Sequence, residues 1–289
     1  MRYIEFEKVV DTVKSLCIEA AHELPEDVLE ALKEAKKKES EPTAIRTLET
    51  LIENARIAAA EKIPLCQDTG ITVVFVEQGA DVAIKPPVQK PQAQATIYDA
   101  INTGVEAGYK DGYLRKSVVA EPLNERKNTG TNCPAIIHHS IVPSDKIQLT
   151  VMTKGGGCEN KSLFKMFVPT AKAEQVIDWI VEVVKSAGPD ACPPFVVGVG
   201  MGGNFERSCL LSKKALLRKI GQRHPENFYA KFEQDLLARI NALGIGPGGF
   251  GGKTTALDCL VEYAPCHIAS LPVAVNIECH SHRHKSVVL

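Results

Sequence analysis

Ile63-Pro64-Leu65-Cys66-Gln67-Asp68-Thr69-Gly70 runs directly into Ile71-Thr72-Val73-Val74-Phe75-Val76, and here the sequence changes its period. A proline, an Asp and a glycine within eight residues mark a turn, and the six residues that follow are almost all β-branched or aromatic, as in a strand. Upstream of this point the pattern is helical. Val9, Val10, Val13, Leu16, Cys17 and Ala20 recur at helical spacing. Pro25-Glu26-Asp27 suits a helix start, with Val28, Leu32 and Ala35 on one side. A third helix is expected over residues 42–62, carrying Ile45, Leu48, Ile52 and Ala55. These stripes read as core-facing surfaces without chemistry.

Downstream the signals alternate. A helix is expected over residues 92–108, and strands over 118–119, 135–142 and 147–152. Lys154-Gly155-Gly156-Gly157-Cys158 reads as a glycine loop and residues 173–186 as an amphipathic helix. Ala191-Cys192-Pro193-Pro194 leads into an apolar strand at 195–199. Helices follow at 209–220 and 226–243, the second closing at Gly244 as a C-cap glycine would. A glycine-rich loop over 244–252 and strands at 255–263 and 273–278 complete the chain. The expected class is α+β with mixed sheets, organised as a single domain. Its helical N-terminal layer covers about residues 1–62 and its α+β body about 63–289.

With 44% hydrophobic and 24% charged residues, the composition is that of a soluble globular protein. A formal net charge of −1 and a single short lysine run at 36–38, which reads as a solvated helix face, give no footprint for nucleic acid. The longest apolar stretches are strand-length, too short to span a membrane. The opening Met1-Arg2-Tyr3-Ile4-Glu5-Phe6-Glu7-Lys8 turns acidic at once, unlike a signal peptide, so a cytoplasmic location is expected.

The cysteines are unusual. There are nine: Cys17, Cys66, Cys133, Cys158, Cys192, Cys209, Cys259, Cys266 and Cys279. An odd number in a chain of this size argues against a disulfide scaffold, and most free cysteines are small buried hydrophobes. Cys66, Cys192 and Cys279 stand apart because each lies at a junction between elements. Pro64 and Gln67-Asp68 accompany the first, Pro193-Pro194 the second, and Glu278 and His280 the third. Their separations far exceed the compact runs that bind electron-transfer clusters, and no CxxC pair supports zinc or a thioredoxin-like site. Spacing alone leaves each of them open as a buried structural cysteine.

Six short motifs in order do more: Leu65-Cys66-Gln67-Asp68-Thr69-Gly70, Asn128-Thr129-Gly130-Thr131-Asn132-Cys133-Pro134, Lys154-Gly155-Gly156-Gly157, Ala191-Cys192-Pro193-Pro194, Phe250-Gly251-Gly252-Lys253 and His267-Ile268-Ala269-Ser270. With the ending Glu278-Cys279-His280-Ser281, they make the chain resemble the α subunit of the class I iron–sulfur fumarate hydratase and L-tartrate dehydratase family. The resemblance implies that Cys66, Cys192 and Cys279 bind three irons of a [4Fe–4S] cluster. The iron left without a protein ligand then acts as a Lewis acid on a small dicarboxylic acid. It implies reversible hydration of fumarate to malate, with L-tartrate or mesaconate as alternative substrates. It also implies a separate β subunit that completes the active site in a heterodimer or heterotetramer.

The resemblance further places Gln67 and Asp68 at the substrate, with Asp68 in proton transfer or orientation, although an ordinary Asx turn also accounts for them. Arg115 resembles a carboxylate-binding arginine, a task suited to a guanidinium fork, and otherwise reads as a surface residue. His267 matches a substrate-contacting histidine, or equally a hydrogen-bonded core histidine. Cys158 occupies a position where the family carries serine, and reads as loop lining or packing before it reads as a ligand. A non-catalytic iron–sulfur protein with a redox or structural role would share the three cysteines but would not require Gln67, Asp68 and Arg115.

Two further patterns are set aside. His280, His282 and His284 alternate and would share one face of a strand, which reads as lining or docking surface rather than a second metal site. Gly246-Pro247-Gly248-Gly249-Phe250-Gly251-Gly252-Lys253-Thr254-Thr255 resembles a phosphate loop but holds Pro247 where glycine is required, with strand rather than helix expected after it.

Overall fold

The computed structural model describes residues 1–89 and 95–289. Its helices are α1 (Phe6–His22), α2 (Glu26–Lys38), α3 (Pro42–Glu61), α4 (Ile97–Asp111), the single turn α5 (Gly156–Glu159), α6 (Ala173–Ala187), α7 (Phe205–Ala215) and α8 (Asn227–Asn241). Its strands are β1 (Arg2–Glu5), β2 (Ile71–Gly79), β3 (Val82–Lys85), β4 (Ile136–Val142), β5 (Ile147–Lys154), β6 (Leu163–Phe167), β7 (Phe195–Gly203), β8 (Ala256–Cys266), β9 (Leu271–Glu278) and β10 (His284–Val288). The protein is α+β with mixed sheets.

The chain divides into two compact units, each assembled from separated segments. The first comprises Met1–Pro25, Ile57–Gly155 and Arg283–Leu289. Its sheet has the order β10-β5-β2-β4, with β2 antiparallel to β5 and parallel to β4. The alternation in β2 sends Val74 and Val76 inward, where they meet Val9, Val13 and Leu16 of α1 and Ile101 and Val105 of α4. Full burial of each such side chain contributes about 1.5–3 kcal/mol. Helix α4 starts where it does because Thr96 and Asp99 form a capping box. The Asp99 N–H donates to Thr96 Oγ1 at 3.3 Å, and the Thr96 N–H to Asp99 Oδ2 at 2.7 Å. The expected helix at 92–108 therefore begins at Ile97; its residues 92–94 lie outside the described residues.

The second unit comprises Glu26–Arg56 and Gly156–His282. Its sheet has the order β6-β9-β7-β8, with β7 parallel to β8 and antiparallel to β9. Every residue of β7 but the last is buried, as expected for a central strand covered on both faces. Helix α7 lies directly on it because Gly198 and Gly200 carry no side chain; a Cβ there would come within 2.1 Å of the Ser212 carbonyl and 2.0 Å of the Ser208 carbonyl. Ile180 and Val184 of α6 and Leu236 of α8 complete the core with Phe195, Val197 and Val199. Of the three N-terminal helices, α1 belongs to the first unit, α2 to the second, and α3 runs from the second into the first.

Local departures from expectation have identifiable causes. Val119 makes only an isolated bridge to Asn128 instead of joining a strand. The glycine stretch closes into the helical turn α5, which Glu159 anchors by accepting from Lys213 Nζ at 2.6 Å and Asn276 Nδ2 at 3.3 Å. The histidine tail is not one strand: β10 starts only at His284, while Ser281, His282 and Arg283 are buried. His282 Nε2 donates to the Leu216 carbonyl at the end of α7, at 2.7 Å, so this segment is interior rather than the docking surface its alternation suggested. Among the described residues, no helix is long and apolar enough to cross a membrane.

Candidate active site

In the first unit, the segment carrying Cys66 is held from beneath by a set of hydrogen bonds to its main chain. The Tyr109 hydroxyl is shared between the carbonyls of Thr69 at 2.7 Å and Gly70 at 3.0 Å. Burial pushes this phenol well above its ordinary range, so it remains a donor. Asn132, fully buried, donates to the Gly70 carbonyl at 3.2 Å and accepts from the Ser117 N–H at 2.7 Å. Thr69 Oγ1 donates to the Arg115 carbonyl at 2.7 Å, and Arg283 Nη1 donates to the Asp68 carbonyl at 2.6 Å. Gly70 adopts a φ of +74°, and a Cβ there would come within 2.5 Å of the Lys154 carbonyl, so no other residue fits the turn.

Above this scaffold the chemical groups face outward. Cys66 is half-buried, Gln67 and Arg115 are exposed, and Asp68 is half-buried. The Cys66 thiol lies 3.3 Å from Gln67 Oε1. The Gly70 N–H donates to Asp68 Oδ1 at 2.9 Å, so the Asx turn considered as the alternative account is present and fixes the carboxylate's direction. The first unit thus brings Cys66, Gln67, Asp68 and the Arg115 main chain into one scaffold.

In the second unit, Cys192 and Cys279 emerge at the same end of the sheet. Cys192 lies just before β7, Cys279 follows β9 directly, and Val196 pairs with Glu278 in the antiparallel ladder. Pro189 starts a short 3₁₀ turn over Gly188–Ala191, after which Cys192 adopts a left-handed φ of +57° and is exposed. The Pro193–Pro194 bond, just before β7, is cis. The His280 N–H donates to the Cys192 carbonyl at 3.3 Å, and the Gly248 N–H to the Pro193 carbonyl at 2.8 Å. The glycine-rich loop is therefore a brace for the Cys192 turn.

That loop is no phosphate site. It leads into strand β8, and the Lys253 ammonium is occupied by the Lys38 carbonyl at 3.1 Å. His267 stands in the turn between β8 and β9, exposed, its Nδ1 accepting from the Ala269 N–H at 3.1 Å. Because β8 runs parallel to β7, this turn is at the opposite end of the sheet from Cys192 and Cys279. A strand of eight residues separates them by about 25 Å. The second unit therefore brings Cys192 and Cys279 together and leaves His267 apart from both.

The thiols divide by environment. Burial pushes Cys17 up to about 12 and Cys259 well above its ordinary value, and also raises Cys133 and Cys209. These are packing cysteines. Cys66, Cys192 and Cys279 instead sit at element ends with partial or full exposure, as does Cys266 at the end of β8. Cys158 is buried at 3% exposure, in contact with the second unit's core. Its Sγ, a Glu278 carboxylate oxygen and the Cys279 Sγ form a group whose ligand atoms all lie within 4.8 Å of one another. Sequence reading gave no role to Asn132, Tyr109 or Arg283 and named Glu278 only as a neighbour of Cys279. Asn132 had a signal, its place in the Asn128–Pro134 motif; a buried arginine inside a histidine-rich tail had none.

Comparison with known proteins identifies the family of this chain. Residues 10–288 match the family described as Fumarate hydratase (Fumerase). Over 280 residues the chain is 42% identical to the putative L(+)-tartrate dehydratase subunit alpha of Methanocaldococcus jannaschii, covering 96% of this chain and 95% of that one. Over 284 residues it is 31% identical to the L(+)-tartrate dehydratase subunit alpha of Escherichia coli K12, covering 98% and 91%.

Proposed function

Since this chain belongs to the fumarate hydratase (Fumerase) family, we propose that it is the α subunit of a [4Fe–4S] hydro-lyase that interconverts fumarate and malate. The observation that carries the reading is the presentation of Cys192 and Cys279 at one end of a single sheet, braced by the His280–Cys192 hydrogen bond. Together with Cys66, they are the thiols assigned to the cluster. The donor set fits, since soft thiolates that are neither deeply buried nor engaged in disulfides suit iron–sulfur chemistry. Bound there, a cluster with one iron free of protein ligands supplies a Lewis acid for the departing hydroxyl.

The chain's own residues supply orientation. Asp68, fixed by the Gly70 N–H, offers a carboxylate of set direction for proton transfer or for holding a partner group. Arg115, its main chain tied to Thr69, extends an exposed guanidinium suited to a substrate carboxylate. Gln67 lies beside the Cys66 thiol. His267, at the other end of the second unit's sheet from Cys192 and Cys279, is given no part in this reading.

A second reading, L-tartrate dehydration, is favoured by the names of the relatives at 42% and 31% identity. Both reactions remove water from a hydroxylated four-carbon diacid. Because those relatives are named as α subunits, a β subunit is proposed to complete the site, in a cytoplasmic setting that keeps thiols reduced. Anaerobic coexpression with candidate β subunits, followed by assays on fumarate, malate, L-tartrate and mesaconate, tests the proposal. Turnover of one diacid by the pair, and none by this chain alone, is expected. Full-speed hydration by this chain alone would end the two-subunit reading, and a brown but inert pair would point to a redox or structural iron–sulfur protein.

A further inference from the structure

Cys158, Glu278 and Cys279 form a compact donor group within the second unit. Glu278 is 0% exposed and Cys158 3% exposed, while Cys279 is half-buried. Glu278 Oε1 lies 3.4 Å from Cys158 Sγ and 3.8 Å from Cys279 Sγ, and accepts from the Cys279 N–H at 3.3 Å. All three ligand atoms fall within 4.8 Å of one another. The carboxylate comes from the last residue of β9 and the first thiol from α5, which Glu159 anchors to Lys213 and Asn276, so two rigid elements set the spacing.

That spacing selects a kind of metal centre. A tetrahedral ion with bonds of about 2.3 Å to sulfur and about 2.1 Å to a carboxylate oxygen places sulfur and oxygen about 3.6 Å apart and two sulfurs about 3.8 Å apart. The observed sulfur–oxygen distances of 3.4 and 3.8 Å bracket this value. In a four-iron cube each thiolate takes a different iron, which separates ligand sulfurs by about 6–7 Å. Cys158 and Cys279, within 4.8 Å, are too close to serve two irons of one cube. Cys158 is thus spaced as a partner of Cys279 on a single ion.

We propose that Cys158, Glu278 and Cys279 form a mononuclear site for a soft divalent cation, zinc or ferrous iron, occupied when the chain carries no cluster. The site rests on the proposed function only in sharing Cys279 with the cluster, which makes the two occupancies mutually exclusive. Without metal, the Cys158 thiol donates to Glu278; with metal, the ion replaces the thiol protons. Two thiolates and one carboxylate leave a fourth coordination position for water.

The test uses the full chain, cluster-free, reduced and under anaerobic conditions, titrated with cobalt(II) and then zinc(II). One cobalt per chain with thiolate-to-cobalt charge-transfer absorption, displaced by one zinc, is expected. X-ray absorption of the zinc-loaded chain should show two sulfurs at about 2.3 Å together with oxygen. Cys158→Ser should weaken cobalt binding at least tenfold while still accepting a reconstituted cluster. Cys192→Ser should bind cobalt like the unmodified chain, whatever it does to cluster uptake, which separates this proposal from the cluster assignment. Thermal unfolding of each variant guards against misfolding, and the zinc spectrum needs no variant. Undiminished cobalt affinity in Cys158→Ser, loss of it in Cys192→Ser, or a zinc shell without two sulfurs would overturn the proposal.

Discussion

Arg283 donates from its guanidinium to the Asp68 carbonyl at 2.6 Å, and the arginine itself is only 1% exposed. The residue that opens the last segment of the first unit therefore moors the turn that presents Cys66. Replacing Arg283 with Met keeps much of the volume but leaves a carbonyl without its charged donor. A loss of about 1–3 kcal/mol is expected in denaturant unfolding, together with faster alkylation of Cys66. Unchanged stability and an unchanged Cys66 rate would show that the mooring is dispensable.

The environments of the nine thiols translate into reactivity. Under native conditions at mildly alkaline pH, Cys192 and Cys266, both exposed, should be the first labelled by a maleimide or iodoacetamide. Cys17, held at about 12 by burial, and fully buried Cys259 should resist until the protein unfolds. Peptide mass mapping over time reads this order directly, and early labelling of Cys17 would contradict the packing of α1.

Function should divide the cysteines along the same line. Cys192→Ser is expected to abolish turnover and bleach the brown colour of the reconstituted protein. Cys209→Ser, altering a half-buried thiol on α7, should leave both nearly intact. Comparable damage from the two substitutions would mean that Cys192 is not set apart from Cys209 as a ligand.

Glu39 makes the protein acid-sensitive in a definable window. Burial alone would raise its carboxyl, but the N–H groups of Lys253, Ser40 and Glu41 outweigh that and hold it below its ordinary range. A depressed carboxyl contributes stability that is present above its unfolded value of about 4.3 and is lost as pH falls through the folded value. Glu39→Gln should therefore cost about 1–3 kcal/mol at neutral pH and flatten the stability decline on the acid side of pH 4.3. Equal acid slopes for the two proteins, measured by denaturant midpoints across pH, would contradict this account.

What the sequence revealed follows the range over which each signal acts. The apolar stripes of α1, α2 and α3 and the β-branched run of β2 are local, and these elements lie close to where periodicity set them. The Cys192 turn was legible because proline and glycine chemistry is also local. By contrast, β1, β3 and β10 are edge strands of four or five residues whose pairing depends on partners far along the chain, and no period can build up over that length. The histidine tail misled for the same reason: alternation predicts a shared face only if the strand exists, and burial of His282 against the end of α7 is decided by tertiary packing. The Cys158–Glu278–Cys279 group was invisible because it joins residues separated by 120 positions.

The first unit's sheet takes β10 as one edge, yet His284–Val288 are translated after every residue of the second unit. On the ribosome, the β10–β5 ladder and the Arg283–Asp68 link must wait until Gly156–His282 has emerged. For most of its synthesis the nascent chain carries Cys66 on a turn that lacks its Arg283 link, with only the Tyr109, Asn132 and Arg115 contacts within reach. The cluster proposed for Cys66 would then be loaded onto the finished turn only after translation, and the interval before it is when chaperones and proteases have their access.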